Sequence, residues 1–457
     1  MIEDTLGTYP AASSYTRLAT HDSLVLQTAT GLTPHGLVTH PLFFSGNLSR
    51  PDVAAAGLRA LVEIVGTRYY KPVPDVVWKD PVVTANGDRL RCEVFSACNG
   101  VYARLDLLAE TFNGAVLGFG TTNVDINPPL AQALAAIRAH DTLHLNVGPT
   151  ELTLTTAADQ YVERKVQLPE RWIRALAETQ SIAAMLGLRA RLDATAWQRF
   201  INALPMAGGG AGVSMWLLPA GTTLRQTGRP HAEAIALPGS ARLTAVKRLS
   251  HLIQAVKIYG PAIDVDTQAA VSAWEFFLPG ARLLLMLSPE PYRGFSGEGA
   301  LLHALSQAET DDALTLGALL AWEAAIEPAV LAQETGFSAE RVHHGLQALA
   351  TAGQVGFDLH EQRYFHRQLP YTQSRLEKNY PRLDAAKALV ASGSVRPDST
   401  HHRVRSEDHD QWVSFPDGKP RCTCTFWGKY KGSRGPCKHI LAVQLYLESV
   451  AGTTSRV

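Results

Sequence analysis

Residues 422–439 read CTCTFWGKYKGSRGPCKH, from Cys422 to His439. Four potential ligands stand in the pattern C-x-C, twelve residues, C-x-H. Zinc binds four soft or borderline ligands in a tetrahedron, and three cysteines with one histidine form one of its structural sets. Residues i and i+2 of a strand point the same way, so Cys422 and Cys424 are expected to reach one ion from a single strand. Upstream, His402–Arg405 and Trp412–Phe415 are predicted to form a hairpin, with a turn at Asp417–Gly418. Downstream, Pro436 suits the first position of a helix running to about Glu448, with Ile440, Val443 and Leu447 as its apolar stripe. Cys437 and His439 then fall in the first turn, where the helix dipole favours thiolates. The competing reading is three buried thiols and an unrelated surface histidine. It fits poorly with the flexible basic loop Trp427–Gly432, which is ill suited to burying cysteines.

A strand pair, the C-x-C…C-x-H ligands and a following helix together resemble the SWIM zinc finger over roughly Arg403–Tyr446. The resemblance implies one structural Zn2+ held by Cys422, Cys424, Cys437 and His439. Four protein ligands leave no open position for water, so hydrolytic zinc chemistry is not expected. The longer chain is similar to bacterial SWIM zinc-finger proteins with a long N-terminal region, on the phrases Ser272-Ala273-Trp274-Glu275 and Phe295-Ser296-Gly297-Glu298-Gly299. That resemblance implies a setting beside MoxR-type AAA ATPases and von Willebrand A proteins. It also implies a partner that is either nucleic acid or protein.

The loop between the ligands interleaves Lys429, Lys431, Arg434 and Lys438 with Phe426, Trp427 and Tyr430. Cations that meet phosphate beside aromatics that stack on bases make up the composition of a nucleic-acid surface. Trp427, Lys429, Lys431, Arg434 and Lys438 are therefore the candidate contacts. The plainer alternative is that Phe426 and Trp427 wall in the metal and the lysines are solvated.

Working outward, residues 371–400 are expected to be a helical and then loop connector, with the small, polar stretch Ala391–Thr400 as a boundary before a zinc domain at 401–450. Residues 308–370 are predicted to form three helices, Ala313–Trp322, Glu327–Thr335 and Ser338–Ala352. Two strands follow, Gln354–Leu359 and Arg363–Gln368. Ser338 is a plausible N-cap, and Gly336 suits the turn before it. This order is winged-helix-like. His343 and His344 lie on its third helix and are read as ordinary exposed histidines.

Residues 1–300 are predicted to be mixed α/β. Strands are expected at Leu24–Thr28, Leu90–Phe95, Leu143–Val147, Glu151–Thr155 and Arg282–Leu287, with a hairpin over residues 151–166. Helices are expected at Val53–Val65, Pro129–Arg138, Glu170–Thr179 and Ala194–Leu204. The expected fold class is therefore α+β and multidomain: a mixed α/β region, a winged-helix-like module and a small ββα zinc domain.

The chain has 457 residues and is 46% apolar, enough for a sizeable core. Five cysteines in this length do not make a disulfide framework, and three of them crowd into the metal motif. Cys92 and Cys98 are read as a buried thiol pair, facing one way if a single strand spans both. Glu3 and Asp4 stand where a signal peptide would carry Lys or Arg, and no window reaches the roughly 18 apolar residues of a membrane helix. A cytoplasmic location without membrane contact is the expectation.

Net charge is zero, yet residues 336–457 hold 17 Lys and Arg against 11 Asp and Glu, leaving 25 against 31 elsewhere. The basic end is a mild pointer to an anionic partner. Gly208–Gly212 lacks the Lys-Ser/Thr of a P-loop, and Gly118–Thr121 lacks the third glycine of a dinucleotide fingerprint. Both are read as turns. No Ser-His-Asp elbow and no His-Glu-x-x-His is present. No catalytic residue is assigned. The expected function is non-enzymatic nucleic-acid binding, with a protein-interaction adaptor as the alternative.

Overall fold

The structure is a computed structural model. It describes residues 9–67, 69, 81–149, 170–205, 212–289, 294–295, 310–369 and 381–454, apart from 19, 117, 125, 127, 408, 433 and 434. The predicted hairpin over 151–166, Arg434, most of Gly208–Gly212, nearly all of Phe295–Gly299 and the first part of the 371–400 connector lie outside the described residues.

Two sheets dominate the first 300 residues. In the larger, ten strands follow the order Gly187–Asp193, Ala255–Gly260, Ser272–Leu278, Ala281–Leu287, Val101–Leu108, Arg89–Phe95, Val82–Ala85, Gly120–Asn123, Gly31–Thr33, Gly36–Val38. Every adjacent pair in it is antiparallel. The second sheet has five strands, ordered Ser14–Arg17, Asp22–Leu26, Leu143–Val147, Phe44–Leu48, Phe112–Val116. The helix Pro51–Gly66 begins with proline in its first turn and buries Val53, Leu58, Leu61 and Ile64. Its Gly57 lies so close to Leu105 that a Cβ there would collide with the leucine methyls.

Sheet alternation explains what the other face of the large sheet holds. Along Arg89–Phe95 and Val101–Leu108, Leu90, Cys92, Val94, Ala103 and Leu105 join the apolar core. Arg91, Glu93, Arg104 and Asp106 point the other way, since successive side chains alternate between faces. All four are nonetheless buried. Their cover is residues 310–369.

That segment forms the helices Thr310–Leu319, Pro328–Thr335 and Ala339–Thr351, then the hairpin Val355–Asp358 and Arg363–His366. Ser338 caps the third helix by accepting from the Arg341 N–H, and Gly336 closes the second at φ 71°. The element order matches the expectation. The hairpin, however, does not project as a free wing: seven of its eight residues are buried. Phe357 N donates to Gln180 Oε1 at 2.7 Å, and Arg104 Nη1 donates to Phe357 O at 2.8 Å. The segment shares one apolar core with the large sheet rather than having its own.

Charge fills the interface between them. Asp358 on the hairpin meets Arg282 at 2.8 Å, Arg104 at 3.3 Å and Arg91 at 3.5 Å. Arg367 reaches Glu93 at 2.6 Å, and the Arg91 guanidinium lies 3.9 Å from the Phe365 ring centroid. Burial opposes the charge on Asp358, but Arg104, Arg282 and Arg91 overcome it and hold the carboxyl far below the usual range.

The C-terminal region builds a second core cluster, which also takes in Ala177 of the helix Glu170–Ala183. The four antiparallel strands Val395–Asp398, His401–Ser406, His409–Ser414 and Arg421–Cys422 run in chain order. Val395, Val404 and Val413 pack with Ile440, Leu441 and Val443 of the helix Lys438–Thr454. Leu383 and Ala386 of the helix Pro381–Ala391 join the same cluster. The described part of the stretch expected as a connector and boundary, residues 381–400, is thus part of this unit. Its polar residues face out from a helix and an edge strand, which a reading of composition alone takes for a linker.

Candidate metal centre

Cys422, Cys424, Cys437 and His439 are all buried, and one ligand atom from each lies within 4.8 Å of every other. They come from three local devices. Cys422 ends the short strand paired to Val413. Cys424 is not on that strand, as strand alternation had implied; it is the N-cap of the helix Thr425–Tyr430. Its Sγ accepts from Trp427 N at 3.4 Å, and its own N–H donates to Cys422 Sγ at 3.4 Å. Backbone N–H groups aimed at sulfur favour thiolates, the form that binds metal.

The chain then turns back. Lys431 ends the helix in the left-handed region at φ 44°, and Gly432 and Gly435 follow at φ 86° and 71°. Cys437 and His439 return at the start of the last helix, where Leu441 N donates to Cys437 O at 3.1 Å. Arg382 holds the approach from outside. Its Nη1 donates to Pro436 O at 3.0 Å, and its guanidinium lies 4.8 Å from the Phe426 ring centroid.

The donor set fits zinc. His439 Nδ1 lies 3.8 Å from Cys422 Sγ. Two ligands of a tetrahedral zinc, at about 2.0 and 2.3 Å from the ion, stand roughly 3.6 Å apart. Nδ1 is thus at ligating distance, and Nε2 is buried without a hydrogen-bond partner among the described residues. Hydrogen bonds from Cys422 and His439 draw the Cys437 thiol down to about 4, while sharing a proton with Cys437 pushes Cys422 up. Three sulfurs this close cannot all ionise unaided, and a divalent cation removes that conflict. These residues build one structural zinc site, closed to water by its four protein ligands.

The predicted contact residues fall unequally around it. Lys429 and Lys431 are exposed. Trp427 is half-buried and packs in the metal-bearing core, its ring against Gly432. Lys438 is half-buried and 3.5 Å from Glu407. On the last helix Ile440 and Val443 are buried, but Leu447 is exposed. Cys92 lies buried on the Arg89–Phe95 strand, whereas Cys98 sits beyond its end, so one strand does not carry both. His343 and His344 lie on the Ala339–Thr351 helix with ring centroids 6.1 Å apart. The buried ion layer was missed in the sequence. Its signal is the alternation Arg89-x-Arg91-x-Glu93 and Arg104-x-Asp106 within strand-like runs.

Residues 412–448 match the SWIM zinc finger family. A search of curated proteins found no match. Among solved structures, similarity extends to Proliferating Cellular Nuclear Antigen from Entamoeba histolytica, at 10% identity and a TM-score of 0.33, over 55% of this chain and 100% of that one. It also extends to the C-terminal region of FEN-1 bound to A. fulgidus PCNA, at 12% identity and a TM-score of 0.32, over 54% of this chain and 98% of that one. Among the described residues, no helix is long and apolar enough to cross a membrane.

Proposed function

We propose that this chain is a non-enzymatic nucleic-acid-binding protein whose zinc module makes the contact. The observation that carries this reading is the exposure of Lys429 and Lys431 on a segment pinned at both ends by metal ligands. Lys429 lies on the short helix Thr425–Tyr430 and Lys431 ends it, not on the flexible loop expected, so these cations meet phosphate without the cost of ordering a free segment. Lys429 and Lys431 contact phosphates, Arg434 and Lys438 add to the local field, and Trp427 chiefly walls the metal. The test is binding of the zinc-loaded chain to nucleic acid across salt concentrations, for the unaltered protein and for Lys429→Glu with Lys431→Glu. A steep salt dependence that the double variant makes shallower supports the reading; binding untouched by the reversals overturns it.

A second reading has its own observation. Leu447 and Val450 are exposed three residues apart on the last helix, hence on one face. This favours a protein adaptor, with an AAA ATPase of MoxR type as the partner implied by family resemblance. A partner captured despite nuclease treatment and lost with Leu447→Asp favours it over nucleic acid.

A further inference from the structure

The outer face of the four-stranded sheet beside the zinc has no cover among the described residues. Its inner face carries Val395, Val404, Val413 and Cys422 into the core. Alternation then sends Arg396, Asp398, His401, Arg403, Arg405, Asp410, Trp412, Ser414 and Arg421 outward. Seven of these nine are exposed, and Arg403 and Ser414 are half-buried.

Register places the important ones in a row. Arg396 stands directly opposite Arg403, and Arg403 directly opposite Trp412. The row crosses three strands, roughly 10 Å at the usual strand spacing. Two arginines face to face on neighbouring strands repel one another unless an anion lies between them. Asp410 reaches Arg403 at 3.6 Å, and Asp398 lies at the end of the face opposite His401. Against those two carboxylates the face holds four arginines, Arg396, Arg403, Arg405 and Arg421, an excess of two positive charges. Trp412 is a large ring left 39% exposed on this face. Its backbone is tied down, with Trp412 N donating to Thr423 Oγ1 at 3.0 Å and Thr423 N to Trp412 O at 3.1 Å. The ring is thus carried on a fixed platform.

We infer that this face binds a single-stranded polynucleotide, one base stacking on Trp412 and the flanking phosphates meeting Arg396 and Arg403. A duplex keeps its bases stacked on each other and cannot offer one to an aromatic ring on a sheet face, so the single strand is selected. This inference rests on the nucleic-acid reading above and moves its centre from the zinc loop to the sheet.

The experiment is fluorescence anisotropy of the full, zinc-loaded chain. The labelled probes are a mixed-sequence DNA single strand, the same sequence as RNA, and the DNA duplex. The single strands bind more tightly than the duplex. Trp412→Ala weakens single-strand binding about five- to a hundredfold, and Trp412→Phe restores most of it. Arg396→Gln with Arg403→Gln makes the log–log salt slope shallower by about 1.4, at roughly 0.7 per phosphate contact. Zinc content is measured for each variant; if Trp412→Ala loses metal, the Trp412→Phe and arginine variants decide. Binding that survives all of them but fails with Lys429→Glu and Lys431→Glu overturns this inference and leaves the zinc-loop reading standing. Preference for duplex overturns the single-strand assignment, and no binding by the unaltered chain overturns both.

Discussion

Asp358 and Arg282 pair at 2.8 Å with both side chains almost wholly buried, one on the hairpin and the other on the large sheet. Their contact joins a segment that could have been a free module to the main body of the protein. Removing water from two charges is expensive, and the layer recovers that cost only because Arg91, Arg104 and Asp106 lie in the same network.

Breaking that pair from one side should therefore be severe. Asp358→Ala leaves four guanidinium groups, those of Arg89, Arg91, Arg104 and Arg282, facing a lost carboxylate, and a cost of about 3–5 kcal/mol is expected. Denaturant unfolding measures it. A loss below 1 kcal/mol means that water or a neighbouring carboxylate compensates.

Glu275 gives a pH dependence of the opposite sign to a surface acid. Burial pushes its carboxyl up to about 7, with Arg282 pulling the other way, and Tyr259 donates to it at 3.0 Å. The folded state therefore holds a proton that the unfolded chain releases near 4.5. Between those two pH values folding binds the extra proton, so stability falls as pH rises, by up to about 3 kcal/mol. Glu275→Gln should flatten that decline. Unfolding midpoints of both proteins from pH 4.5 to 7.5 make the comparison, and parallel curves rule out Glu275 as the source.

The metal prediction is one zinc per chain. Cys437→Ser should remove nearly all of it, since the loss of one thiolate from four ligands forfeits much of an apparent binding energy on the order of 10 kcal/mol. Elemental analysis of native and variant protein reads this directly. Full occupancy in the variant would mean the fourth ligand lies elsewhere.

Metal loss should also show where the zinc unit begins. Because Leu383 and Ala386 pack with Ile440 and Val443, chelation should expose cleavage sites from about residue 381 onward, not only from 400. The large sheet should stay protected. Limited proteolysis with mass mapping locates the first new cut; protection of 381–391 after chelation would separate that helix from the zinc unit.

For nucleic acid, charge reversal of Lys429 and Lys431 should weaken binding equally for unrelated sequences, because phosphate contacts carry no sequence information. On duplex DNA each lost contact should make the log–log salt slope shallower by about 0.9. Titrations at several salt concentrations give the slope, and sequence-dependent losses would point to base contacts instead.

Read by itself, the sequence determined what depends on neighbours along the chain. The spacing of Cys422, Cys424, Cys437 and His439 identifies the metal and its ligands, because the cap, turn and helix start that aim them are local. Ser338 and Gly336 marked their helix ends for the same reason: one side chain bonds its own backbone, and one backbone tolerates positive φ. Tertiary structure decided the rest. Arg91 and Glu93 fall in a predicted strand, but that they and Arg104 and Asp106 are buried depends on Asp358 and Arg367, which arrive from more than 250 positions away. The same holds for the Pro381–Ala391 helix, whose membership of the zinc unit depends on a core completed after residue 440. It holds also for Leu447, which fits a helical stripe yet stays exposed among the described residues. Burial is a property of what packs against a residue, and in this chain the packing partners of the charged layer are far away in sequence.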